Sequence, residues 1–242
     1  MKKLFWINIF ILTFLLGIGA AATWFVYSNS NFEEVKPPGL LVRQDCGEHI
    51  NFPALAKKIS EIKKGKIDYF PESLFGNDMK AKYSVAGWYG KNLKAMNEKS
   101  LLDTSDENAE IYRFLWLRSF HHPIFVRIER NQNEIKLFTK ELDGKGGYEP
   151  GKVLRSDETL IKQEDFCKFL SILKEANYWQ MQTEEKDDLG NDGAQWILEG
   201  VKEGRYHIVE RWSPRDIDFR EACIYLLKLS GIDIDKLGDD LY

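Results

Sequence analysis

The four histidines and three cysteines are the residues of this chain best suited to metal or nucleophilic chemistry. Two of the histidines adjoin, His121 and His122, in FHHP between the apolar runs YRFLWLRSF and PIFVRIER. A zinc site needs three or four ligands. In extended backbone, neighbouring side chains point to opposite faces, so this pair cannot share one ion. A turn would bring them nearer, yet Pro123 biases His122 toward extended geometry. His49 and His207 lie far away in sequence. FHHP therefore reads as a hairpin corner, with a histidine acting alone as the rival.

Two further stretches imitate known sites. Gly146 to Val153, GGYEPGKV, has the Gly, Gly and Lys spacing of a phosphate loop, but Val153 stands where a Ser or Thr must reach magnesium. The following KVLRSDETL is not a helix start, so a loop is the better reading. In DDLGNDGAQWILE, Asp188, Asp192, Gly193 and Glu199 match positions of a calcium loop. Gly190 replaces a required oxygen ligand there, and an alternating strand follows instead of a helix. An acidic turn feeding a strand is expected. No Gly-x-Ser-x-Gly or HExxH occurs, and no metal or cofactor site is assigned.

One constellation carries more. Arg113, Arg118, Arg127, Arg205 and Arg211 fall in strand-like runs together with Glu129, Glu199 and Glu210. Such strands carry either cross-strand ion pairs on a solvated face, each worth ~0.2–1 kcal/mol, or a recognition face. The candidate interaction face is Arg113, Arg127, Tyr206, His207, Arg211 and Trp212, where planar guanidinium and aromatic groups suit a protein partner.

The elements that must position these residues follow from periodicity. NFPALAKKISEIKKGK, residues 51–66, predicts a helix from Leu55, Ile59 and Ile62. A second helix is expected from about Asp78 to Met96, with Trp88 and Leu93 facing the core. From Ile111 the period becomes two: Tyr112, Phe114 and Trp116 share a face, then Ile124, Val126 and Ile128 point inward and Phe125, Arg127 and Glu129 outward. With Ile135 and Leu137 this makes a three-strand meander. A loop over 143–151 and a helix near Gln163 to Ala176 follow. QWILEGV and RYHIVERW form a second hairpin around Lys202–Glu203–Gly204. The last helix should start from Ser213 as cap and stop at Gly231. The class is α+β, an antiparallel sheet packed with amphipathic helices.

Composition sets the location. Lys2 and Lys3 precede an uncharged run, Leu4 to Tyr27, long enough to cross a hydrocarbon core of ~30 Å. Cleavage after Ala22 would make it a signal peptide, but the apolar run continues through Trp24 to Tyr27, where an interfacial aromatic belt sits. The expected organisation is an anchor over 1–28, a linker over 29–45 stiffened by Pro37–Pro38, and an extracytoplasmic domain over 46–242. Within that domain a helical part spans 51–100 and a sheet-and-helix part 110–232. The flanking lysines place the N-terminus in the cytoplasm. Without Lys2 and Lys3 the chain has 32 basic against 38 acidic residues, a poor balance for binding nucleic acid. Cys46, Cys167 and Cys223 are an odd number for an oxidising compartment. Packed free thiols and a Cys167–Cys223 disulfide both remain open.

The strings WYGKNLKAMNEKSL, YRFLWLRSFHHPIFVRI, DGAQWILEGVKEGRYHIVERWSP and FREACIYLLKLSG resemble a family of bacterial proteins carried as hypothetical, over about Val85 to Gly231. The resemblance implies a single module and no reaction or ligand, so no functional residue is carried over. The sequence thus leads to a membrane-anchored domain facing the periplasm or cell exterior. It would bind an envelope protein without a cofactor. The alternatives are an envelope hydrolase using His121 or His207 with a carboxylate, and a small-ligand sensor with an apolar pocket.

Overall fold

Strict alternation from Glu110 onward builds a sheet, and the order of its strands decides what each face can hold. The structure, a computed structural model, describes residues 46, 50–74, 79–131, 134–184 and 192–242. The apolar run 4–27, the linker 29–45, His49, Asp188 and Gly190 lie outside the described residues. Among the described residues, no helix is long and apolar enough to cross a membrane.

In chain order the elements are β1 (Lys57–Lys58), α1 (Ile59–Ile62), β2 (Lys66–Ile67), β3 (Phe70–Pro71), α2 (Met79–Ala95), β4 (Glu110–Arg118), β5 (Ile124–Asn131) and β6 (Glu134–Leu142). Then come β7 (Val153–Leu160), α3 (Gln163–Glu175), β8 (Ala194–Lys202), β9 (Arg205–Trp212), α4 (Ile217–Leu229) and α5 (Ile234–Leu237). Seven strands form one antiparallel sheet in the order β1-β9-β8-β4-β5-β6-β7, with β2 and β3 pairing apart from it. The protein is α+β, with both expected hairpins and the helices α2, α3 and α4 in place.

Both faces of the sheet are covered at its centre. On one face Tyr112, Phe114, Trp116, Val126 and Leu198 pack with Phe166, Phe169 and Leu173 of α3 and Phe219 and Leu226 of α4. On the other, Leu115, Leu117, Phe125 and Ile197 pack with Ala86, Tyr89 and Leu93 of α2. This corrects the outward reading of Phe125, which is fully buried because α2 lies over it. Full burial of side chains this size removes ~1.5–3 kcal/mol each from contact with water, so two apolar faces recruit two helical layers.

Local chemistry explains the other departures. The helix expected over 51–66 shrinks to Ile59–Ile62 and one further tight turn, Lys63–Gly65. Lys57 and Lys58 are drawn into pairing with Tyr206 and Arg205, and the Ile59 N–H bonds to the Gly204 carbonyl at 2.9 Å. Sheet hydrogen bonds outweigh weak local helix preference there. The cap of α4 is Asp216, whose side chain accepts from the Asp218 N–H. Ser213, expected as cap, instead sits at a positive φ of 41° and accepts from the Ala194 N–H at 2.9 Å, closing the end of β8. Gly231, at φ 75°, follows α4 as expected. Strand β7 had no apolar alternation to announce it, and it is exposed along nearly its whole length.

The cysteines resolve differently from either expectation. Cys46 pairs with Cys167 across 121 residues, and Cys223 is free and buried on the inner face of α4. The two helical cysteines do not pair, because Cys223 faces the sheet while Cys167 sits at the half-buried flank of α3.

Candidate functional site

FHHP is a hairpin corner, between β4 and β5, and its histidines go to different partners. His121 Nδ1 lies 3.0 Å from the Tyr242 hydroxyl and its Nε2 3.4 Å from Asp240 Oδ1. His122 Nδ1 lies 2.7 Å from Glu141 Oε1. Among the described residues no three His, Cys, Asp or Glu side chains group as metal ligands. The phosphate-loop imitation is packed onto the same corner. The Gly146 N–H bonds to the His121 carbonyl at 2.9 Å, and the Gly146 carbonyl accepts from Trp88 Nε1 at 2.6 Å. A β-carbon on Gly146 would lie 2.6 Å from the Arg118 nitrogen, so glycine is needed for close packing rather than for phosphate. In the calcium-loop imitation, Glu199 is in β8 and is committed to Arg113.

The six residues of the candidate face do not form one exposed surface. Parity along the strands puts Arg113, Arg127, Tyr206 and Trp212 toward α2, and His207 and Arg211 toward α3 and α4. Arg113, Tyr206, His207 and Arg211 are all buried. The ion-pair reading fits better, but the pairs are buried rather than solvated. Arg113 faces its cross-strand partner Glu199 with contacts of 2.6 and 2.8 Å, and the Tyr206 hydroxyl donates to the same carboxylate at 2.8 Å. Arg211 donates to the Gln182 and Thr183 carbonyls at 3.1 Å. His207 stacks near Tyr178 and Trp179, with ring centroids 5.1 and 5.9 Å away. Burial pushes its pKa down to about 4, so the ring is neutral at neutral pH.

Of the six, Arg127 opens on a cleft. The turn after α2 and the α2-facing sides of β5, β6 and β7 enclose a cleft of about 670 Å³. Its floor is the Phe138 ring, with the Arg127 guanidinium 4.1 Å above the ring centre. Glu98 bridges two cations from the wall: Arg127 Nε at 3.1 Å and Lys140 Nζ at 2.5 Å. Arg127 also pairs with Glu129. Lys140 donates to the Met96 carbonyl at 2.8 Å, which holds the helix end against the sheet.

Beneath the wall, Arg113 Nη1 donates to the Lys99 carbonyl at 2.6 Å, so the buried Arg113–Glu199–Tyr206 set props up the turn that forms the rim. Ser100 Oγ adds a bond to the Tyr69 carbonyl at 2.5 Å. Five lining carboxylates, Glu98, Asp103, Glu129, Asp157 and Glu158, face three cations, Lys99, Arg127 and Lys140. The cleft is therefore an aromatic-floored recess with more carboxylates than cations in its lining, in which Glu98 engages Arg127 and Lys140 while Asp103 and Glu158 pair at the rim with Lys66 and Lys136, at 3.0 and 2.8 Å. It suits recognition of positive groups. No nucleophile–base pair lines it. Neither His121 nor His207 lines it either, and its charged side chains share the lining with Leu101, Ile111 and Phe138. Reasoning from sequence missed Glu98, Phe138, Lys140 and Glu158. Of the lining, Arg127 and Glu129 stood out there, as an arginine and a glutamate in one strand-like run.

A second cluster lies on the same face of the sheet. The Tyr89 hydroxyl donates to Glu210 Oε2 at 2.6 Å. Burial foremost, with Glu184 nearby, raises the Glu210 pKa from 4.5 to about 7. Below pH ~4.5 both folded and unfolded chains hold this proton, and burial of the group carries no linked penalty. Between 4.5 and about 7 the unfolded chain releases it first, so stability falls as pH rises, by on the order of 3 kcal/mol in full. Glu210→Gln is expected to flatten that part of the pH profile. It should be close to wild type at pH 4.5 and more stable at pH 8, read by urea unfolding at both pH values. Equal slopes for the two proteins would show that Glu210 does not carry the proton.

No protein-family model matches the chain, and no curated protein matches it.

Proposed function

We propose that this protein is a membrane-anchored, extracytoplasmic binding module of a bacterial cell envelope, and that its acidic cleft receives a basic segment of a partner protein. The cleft carries the reading: a prebuilt recess with an aromatic floor and a surplus of carboxylates is complementary to Lys or Arg side chains. Two features support the location. The charge-free run Leu4 to Tyr27 has the length of a membrane span. The Cys46–Cys167 disulfide suits an oxidising compartment. A tether also keeps a non-catalytic module at high local concentration near membrane-proximal partners. The resemblance of residues 85–231 to hypothetical bacterial proteins agrees with a single module of this kind.

The test is cross-linking of the tagged full-length protein in its own cells, with Glu129→Lys/Glu158→Lys as the comparison. Both side chains are partly exposed at the cleft, so the fold should survive. The expected result is an envelope partner whose capture falls about ten-fold or more in the variant, a change of ~1.4 kcal/mol. An identical set of captured proteins from the two forms would sink the cleft reading.

A further inference from the structure

Strand β7 ends the seven-stranded sheet, and among the described residues nothing pairs with its outer edge. The register with β6 fixes which backbone groups are left over. The Ile161 N–H bonds to the Ile135 carbonyl, so the odd-numbered residues of β7 bond to β6. The N–H and C=O groups of Ser156, Glu158 and Leu160 therefore point outward, while Leu154 is the extra residue at a bulge, between Arg155 opposite Glu141 and Val153 opposite Leu142. Edge strands are commonly blunted by proline, lysine or a mid-strand bulge. VLRSDETL has no proline or lysine, its one bulge lies near its start at Leu154, and its charges Arg155, Asp157 and Glu158 are of both signs. Leu154 and Leu160 are 59% and 68% exposed, which is costly for an edge meant to stay in water.

The order of charges on β7 specifies what fits it. A second copy related by a two-fold axis through the sheet would add its own β7 antiparallel, with residues of the same face opposed. Centring that axis on Arg155, on Asp157 or on Glu158 sets like charges face to face. Centring it on Ser156 sets Arg155 opposite Asp157 twice and brings the exposed Leu154, at the bulge, toward Glu158 and Leu160 of the other copy. The Arg155–Asp157 positions then fall at the closely spaced, non-hydrogen-bonded pairs, where side chains interact most strongly. Ser156 falls at a hydrogen-bonded pair on the axis itself, giving about two backbone bonds there. Arg155 and Asp157 already pair along one strand, and Arg155 Nη2 also donates to the Ser230 carbonyl at 2.9 Å, so the guanidinium would be shared between that carbonyl and the neighbour's Asp157.

We infer that β7 is a self-complementary edge through which two copies of this chain join their sheets, in the register centred on Ser156. The inference rests on the strand register and is independent of the cleft, although Ser156, Asp157 and Glu158 also line it. In such a dimer the two clefts lie side by side on one face.

Cysteine placement tests both the contact and its register. Opposed Cα atoms at a hydrogen-bonded pair lie ~5.5 Å apart, within disulfide reach. The native free thiol, Cys223, is buried and should not compete. Full-length protein carrying Ser156→Cys should run mainly as a covalent dimer on non-reducing gels after mild oxidation, and Asp157→Cys should not. Adding Arg155→Asp to the Ser156→Cys chain should lower the cross-link at least about ten-fold. Adding Asp157→Arg as well should restore it, which a misfolded chain would not do. A monomeric Ser156→Cys protein, equal cross-linking at position 157, failure of the charge swap to rescue, or cross-linking to another protein instead would each overturn the inference.

Discussion

Arg113→Met is expected to destabilise the protein by about 3–5 kcal/mol, because it strands a buried carboxylate. Arg113 and Glu199 are both essentially inaccessible to water, and the two side chains meet through a forked pair of hydrogen bonds. Glu199 draws the arginine pKa up against the opposing effect of burial, so the cation is held charged. Without it, Glu199 keeps only the Tyr206 hydroxyl as a described donor. Burying a charge with so little compensation costs far more than any exposed pair contributes. Replacing both partners by apolar groups, as in Arg113→Met/Glu199→Leu, should return at least half of the loss, since a well-packed apolar pair is close to neutral with a buried ion pair. Urea unfolding of the wild type, the two single variants and the double variant reads the whole cycle. A single-variant loss below ~1 kcal/mol would show that the pair is solvated or that Glu199 takes up a proton without cost. The Lys99 carbonyl also loses its donor, so the rim of the cleft should loosen in the same variant.

This pair also shows how far the sequence could be read. Alternation placed Tyr112, Phe114 and Trp116 together correctly, because period two is a local property of extended chain. It could not say whether the opposite face, with Arg113, Leu115 and Arg127, meets water or a helix. That depends on α2, whose packing over the sheet is set by long-range contacts of Tyr89 and Leu93. Arg113 and Arg127 read alike in the sequence. In the fold Arg113 lies opposite Glu199 and is sealed, whereas Arg127 lies nearer the β7 edge and opens on the cleft. Glu98 was illegible for a different reason: it sits in a turn, where no periodicity marks its direction. Strand β7 was missed because its exposed faces leave no apolar signal. The FHHP corner was legible because proline and the flanking strands determine it locally.

The cysteines lay beyond that limit, since three thiols permit three pairings and spacing selects none. The structure pairs Cys46 with Cys167 and leaves Cys223 on the buried side of α4, where burial holds its thiol pKa well above the ordinary range. A cross-link spanning 121 residues removes much of the freedom of the unfolded chain, worth about 4–5 kcal/mol in the chain-entropy view. Cys167→Ser in the full-length protein should therefore lower the melting temperature by roughly 10–15 °C. Cys46→Ser should cost the same, and the double variant no more, because each change removes one and the same constraint. Additive losses would instead assign the effect to packing at two separate sites. Thiol labelling gives an independent reading. Unfolded, unreduced wild type should label at Cys223 alone, and reduction should bring out Cys46 and Cys167. Labelling of all three before reduction would remove the disulfide, and with it one of the two supports for an oxidising location.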